Sequence, residues 1–294
     1  MSQFIVLNEV QVDEIRKLAR DKRQSLSIVG EMPIANDIFT ILEQLDIKLL
    51  EYPIQSEGDS PAFSAAIMYT EENGGELAFI GLNTADYFDK QLFAIAHELF
   101  HYYTKSGSHL SRLDEDENSL IEAKANRFAA EFLFPEVALR SIILNEFKTS
   151  KLGKLTEKTI LRFIVRLQCT WWLPYHSLVK RLHEIGTISE EQYRNLYSID
   201  ERNLDAEYGR MGIAINEEVF RKLNTKTNTI GTSMKDIEII VRNFEDGLIN
   251  EDKLADTLSL FNKSPDDFGY RVIVTEEDEE EFDAFFSGRK SDED

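Results

Sequence analysis

Hydrophobic positions recur at helical spacing over residues 8–22 and again over 36–45, where Ile38, Phe39, Ile41, Leu42 and Leu45 share one face behind a capping Asn36. The period then changes. Ile47 to Tyr52 reads as a strand, and Phe63, Ala65, Ile67 and Tyr69 alternate with smaller or more polar neighbours into the turn Glu72-Asn73-Gly74-Gly75. Leu77 to Leu82 leaves that turn as a partner strand, since Asn and Gly supply the positive backbone angles a tight hairpin demands. Residues 91–103 are apolar almost all round, which predicts a buried helix. Residues 120–134 carry a core-facing stripe of Ile121, Ala125, Phe128, Ala129 and Phe132 that Pro135 ends. Shorter helices are expected at 156–168, at 174–185 with Gly186 as the stop, and from Ser189 onward. Helices at 216–224, 233–246 and 250–262 follow a hinge at Gly209 to Gly212, with a last strand at 270–275. A small hairpin sheet and blocks of helices make the fold class α+β.

The chain has 294 residues, enough for about two folded units that need no disulfide or metal staple to form a core. Apolar runs stop at about six residues where a membrane span needs about twenty, and Glu9 and Asp13 interrupt the N-terminal region before any signal-like stretch. A single cysteine, Cys169, leaves no intramolecular disulfide and no cysteine-based metal cage, which points to the reducing cytoplasm. The 33 basic and 54 acidic residues give a net charge of −21, unevenly placed. Residues 275–294 hold ten acids and two bases and are expected to form a disordered acidic tail. Residues 140–185 hold nine bases and three acids.

One segment carries the chemistry. His97 and His101 are four apart on the predicted buried helix, so both imidazoles project from one face and can share a tetrahedral zinc. Glu98 lies one step round the helix, in reach of a water that such an ion activates without being a ligand itself. A carboxylate buried between two histidines is costly unless neutralised, and a cation does so. The competing reading of this H-E-x-x-H is a core helix whose histidines bond to backbone. A catalytic zinc usually takes three protein ligands and keeps one open place. Glu122, bordering the stripe of the next helix, can supply the third donor or simply complement that helix's dipole. Ala125 and Ala129 let the two helices pack closely, and Asn126 can orient Glu122 or bond to backbone. Tyr102, Tyr103 and His109 lie close in sequence; the tyrosines are read as packing, and none of the three is taken as an oxyanion donor.

The order of these features resembles a known family, the ImmA/IrrE-type zinc metallopeptidases. The resemblance rests on Phe93-Ala-Ile-Ala-His97-Glu98-Leu99-Phe100-His101, then Glu122-Ala-Lys-Ala125-Asn126-Arg127-Phe128-Ala129-Ala130, then Pro135. It covers about residues 30–140, and 157–195 more weakly through Tyr175 to Ser189. The chain departs from it at Phe100, where many relatives have Gly, and at Lys105, where many have a further His; His109 does not occupy that place. The resemblance implies a zincin-like metallopeptidase domain with a small sheet and an active-site helix, followed by a mainly helical C-terminal half. It implies His97, His101 and Glu122 as zinc ligands, a set that also accepts manganese, and Glu98 as general base. It further implies an endopeptidase whose substrate is a helix-turn-helix repressor, so that cleavage switches on stress-response, mobile-element or phage-defence genes.

The expected domains are 1–150 for the peptidase, 151–212 for a helical helix-turn-helix-like region, 213–274 for a second helical region and 275–294 for the tail. The basic island around Lys180 and Arg181 admits direct nucleic-acid contact, disfavoured because a charge of −21 opposes approach to phosphates. Trp171 and Trp172 are read as packing rather than a base-stacking platform. The alternative function is a non-catalytic zincin scaffold that binds or senses within a transcriptional or toxin-antitoxin system. Neither oligomeric state nor the identity of a substrate follows from the sequence.

Overall fold

The computed structural model describes residues 6–28, 30–55, 63–72, 75–106 and 115–270. The hairpin residues Asn73 and Gly74, His109, residues 271–275 of the expected last strand and the acidic tail lie outside them. Helix α1 (Glu9–Ser25) starts in a capping box in which Asn8 and Gln11 satisfy each other's backbone N–H. It buries Ile15, Ala19 and Arg23, whose guanidinium donates to the carbonyls of Phe132 and Met32. Helix α2 (Ile38–Gln44) leads into strand β1 (Lys48–Tyr52), and then β2 (Ala65–Glu72) and β3 (Gly75–Asn83) form the expected antiparallel hairpin, in register from Ala65↔Leu82 to Glu72↔Gly75. β1 runs parallel to β3, Lys48 opposite Phe79 and Tyr52 opposite Asn83.

Five helices follow, α3 (Phe88–Thr104), α4 (Glu115–Leu133), α5 (Glu136–Phe147), α6 (Glu157–Trp171) and α7 (Tyr175–Glu184), then α8 (Glu190–Tyr197) and α9 (Glu207–Leu223). After α9 the chain returns to the sheet as β4 (Gly231–Thr232), antiparallel to β1, giving the order β2-β3-β1-β4 with β2 at one edge. The fold is mixed α+β and mostly helical, as expected, although α5 was not. The sequence places a stop at Pro135, whereas Pro135 ends one helix and opens the next, its lack of an N–H costing nothing at a helix start.

The chain divides into two compact units, 1–233 and 234–294. The divisions expected near 150 and 212 are not breaks in packing. One core runs from Ile15 through Leu92, Leu99 and Phe128 to Ile164, Leu178, Tyr208 and Phe220, so α6 to α9 belong to the same body as the sheet. The second unit holds α10 (Met234–Glu245) and α11 (Glu251–Ser259) around Ile237, Leu254 and Leu258. Asn250 caps α11 through the N–H of Lys253.

The hinge expected at Gly209 to Gly212 is a close approach inside α9. A Cβ at Gly209 would lie 2.4 Å from the Asn203 carbonyl oxygen, and one at Gly212 would lie 2.4 Å from the Phe220 ring. The helix instead kinks at Asn216, whose side chain accepts from the N–H of Val219 and restarts the helix as a cap. Gly209→Ala should therefore destabilise the chain by about 1–3 kcal/mol, because the obstacle is backbone that cannot rotate aside. Denaturant unfolding checks this; a stability unchanged from wild type would restore the hinge reading.

The basic island is largely internal pairing. Arg140 bonds Glu136, Arg166 bonds Glu146, Lys158 reaches Glu207 at 3.1 Å, and Lys151 donates to the Gly186 carbonyl. Arg181 is 1% exposed and pairs with Glu131 at 2.8 Å, so it is not a surface base. Trp171 is buried and stacks on Phe134, 4.0 Å between ring centroids. Burial pushes the Cys169 thiol up to about 11, which makes it a poor nucleophile. Among the described residues no helix is long and apolar enough to cross a membrane.

Candidate metal centre

Helix α3 is buried along most of its length because it lies between the sheet and α4. Ala125 and Ala129, both fully buried, allow α4 its close approach, as their size predicts. The approach carries Glu122 to the histidine pair. Glu122 Oε2 lies 3.0 Å from His97 Nε2, Glu122 Oε1 lies 3.6 Å from His101 Nε2, and the two Nε2 atoms are 3.2 Å apart. Donors around a tetrahedral zinc at about 2.0–2.1 Å are separated by roughly 3.3 Å, so the three side chains stand near the spacing of corners of such a polyhedron, Glu122 through one oxygen toward each histidine.

The far side of each ring shows which proton it carries. His101 Nδ1 is 3.0 Å from the Ser106 carbonyl, which can only accept, and His97 Nδ1 is 3.1 Å from Asn126 Oδ1. Protons on both Nδ1 atoms leave two Nε2 lone pairs and a carboxylate directed at one point. That concentration of electron density is favourable only around a positive charge, so the residues fit a bound zinc. Lys105 takes a left-handed conformation at the end of α3, where Ser106 follows it toward His101. Asn126 orients His97, rather than Glu122 or backbone, the two alternatives the sequence offered: Asn126 and Glu122, one turn apart on α4, meet the two nitrogens of the His97 ring. Asn126→Ala should therefore weaken zinc binding by about 10- to 100-fold with the fold intact, which chelator competition measures.

Without a cation the same contacts draw a proton to His97 Nε2, which then takes the place of the positive charge between the donors. The hydrogen bond from His97 holds Glu122 below the usual carboxylate range. Burial alone would lower His97, but Glu122 and Glu98 outweigh it and raise its pKa. His101 is lowered by burial and by the charge of His97. Burial raises Glu98, partly offset by His97 and by a backbone N–H.

The centre opens into a cleft of 510 Å³ between β2 and the start of α7. Ser64, Ala65, Ala66 and Ile67 form one wall, with Pro174, His176, Ser177 and Arg202 across from them. Arg202 is held by Asn224 at 2.8 Å and by the fully buried Asp89 at 3.0 Å; Asp89 in turn accepts from Gln168, and Gln168 from the hydroxyl of Tyr208. This wall was not anticipated, because it comes from residues about 75 to 105 positions beyond the motif and has no local spacing signal. Tyr102 donates to the Leu45 carbonyl and Tyr103 packs on Phe128, so neither lines the cleft, in line with the packing reading.

Two histidines on one helix, an acid on the next and a glutamate beside a cleft along an edge strand define a zincin-like metallopeptidase domain. The family model Peptidase_M78, the IrrE N-terminal-like domain, matches residues 42–183, which supports an ImmA/IrrE-type metallopeptidase domain over that segment. No curated protein and no solved structure gives a match.

Proposed function

We propose that the chain is a zinc-dependent endopeptidase in which His97, His101 and Glu122 hold the metal and Glu98 is the general base. The observation that carries this reading is the convergence of the three donors from α3 and α4, within 4.8 Å of one another, on an open cleft that Glu98 also lines. When bound, zinc supplies the Lewis-acid charge that acidifies water and polarises a peptide carbonyl. Glu98 takes a proton from the attacking water and returns it to the nitrogen of the leaving amine. With zinc bound, His97 and His101 would present their Nε2 lone pairs, with the Nδ1 protons held by Asn126 and Ser106. β2, at the sheet edge, receives the substrate as an added strand.

The substrate we propose is a cytoplasmic helix-turn-helix transcriptional repressor, cleaved to derepress stress, mobile-element or phage-defence genes. Family resemblance supports this choice. Direct DNA contact is disfavoured, since most bases of the 140–185 island are engaged within the protein. The test is incubation of the zinc-loaded chain with the repressor encoded beside its gene, with and without chelator, followed by mass spectrometry of fragments. Chelator-sensitive cleavage at one site supports the proposal. An intact repressor under inducing conditions, with zinc bound, would favour a binding or sensing scaffold instead.

A further inference from the structure

Glu98 is 7% exposed, and the hydrogen bond described for its carboxylate comes from main chain: Ile67 N–H donates to Glu98 Oε2 at 2.9 Å. The ladder explains why that donor is available. Asn83 N–H donates to the Ser64 carbonyl, so the 64·83 pair is a hydrogen-bonded pair, and bonded pairs alternate with unbonded ones along an antiparallel ladder. Ala65, Ile67 and Tyr69 therefore turn their backbone groups away from β3, toward the open edge. Of these, Ile67 lies against α3 where Glu98 emerges.

We propose that the Ile67 main-chain amide is a positioning group for the general base. It fixes Oε2, sets the plane of the carboxylate and leaves Oε1 as the atom that takes and returns the proton. The edge is consequently not uniform. A substrate strand laid along β2 finds the Ile67 carbonyl open but its N–H occupied, so the substrate carbonyl that continuous pairing would place there has no sheet partner. The rival assignment gives this N–H to the substrate, with Glu98 filling it only while the cleft is empty. The proposal rests on the reading of Glu98 as the base.

Ile67→Pro removes the donor without removing a ladder bond, because that N–H faces away from β3. With zinc content unchanged, kcat should fall by roughly 10²-fold while KM stays near wild type, since a misaimed base slows chemistry rather than binding. A raised KM with unchanged kcat would give the N–H to the substrate and overturn the proposal, as would no change in either. A second measurement is independent of catalysis and of that variant's folding. In zinc-loaded wild type the Ile67 amide should exchange slowly with deuterium although it faces a sheet edge. In Glu98→Ala it should exchange roughly tenfold faster, with the ladder amides of Ala66 and Met68 unaffected. Equal Ile67 exchange in the two proteins overturns the proposal. A wild-type chain that cleaves nothing would instead sink the peptidase reading, a result the exchange rates do not depend on.

Discussion

Replacing Glu98 by glutamine leaves the zinc content and the unfolding midpoint at wild-type values and lowers peptide-bond cleavage by roughly 10²- to 10⁴-fold. The substitution is nearly isosteric, and the amide oxygen can still accept from Ile67 N–H, so the side chain keeps its place. What is lost is an oxygen basic enough to take a proton. The three metal donors are untouched, which separates this variant from His97→Ala, where the metal itself should go. Fragment yield from the repressor and metal analysis of the same preparation check both halves. Full cleavage by Glu98→Gln would remove Glu98 from the reaction.

Truncating Arg181 to alanine should destabilise the chain by about 3–5 kcal/mol, the range for removing one partner of a buried ion pair. Arg181 donates through Nη2 to Glu131 at 2.8 Å and to the Phe134 carbonyl at 3.0 Å, while its Nε and Nη1 are buried without a hydrogen-bond partner. Glu131 also accepts the N–H of Glu136 at 2.8 Å, so it joins the end of α4 to the start of α5. Without Arg181 its charge is left buried, with Arg127 3.7 Å away and Arg16 and Arg23 acting on it only through the electrostatic field. Removing both members as Arg181→Met with Glu131→Met should cost less than the two single losses together, by about 1 kcal/mol or more. Strict additivity in denaturant unfolding would mean that the pair does not act as a unit.

Arg181 also marks where sequence reading stops. A base within a run of bases resembles a surface patch, and only the tertiary packing of α7 against the α4–α5 junction reveals it as an internal strut. The candidate metal cluster was legible because its information is local: His97 and His101 are one helical turn apart, and Glu122, Ala125 and Ala129 follow one period. The hairpin was legible from alternation and a turn dipeptide. Helix α5 was not, because Val137 is 65% and Leu144 55% exposed, which blurs the contrast between its faces. The two-residue strand β4 and its pairing with β1 have no local signature, since their register is set by contacts about 180 residues apart. Gly209 and Gly212 read as flexible by composition, yet they are fixed by close packing. The role of the Ile67 amide depends on which residues of a strand face outward, a property of register that composition does not carry.

The most direct measurement of the central claim is zinc-edge X-ray absorption on the purified chain, wild type beside Glu122→Ala. The account predicts zinc in the wild type with two imidazole nitrogens and light oxygen donors from one carboxylate and solvent, and loss of the carboxylate contribution with much weaker binding in the variant. Zinc spectra identical in the two proteins, or a site closed by a fourth protein ligand, would contradict it.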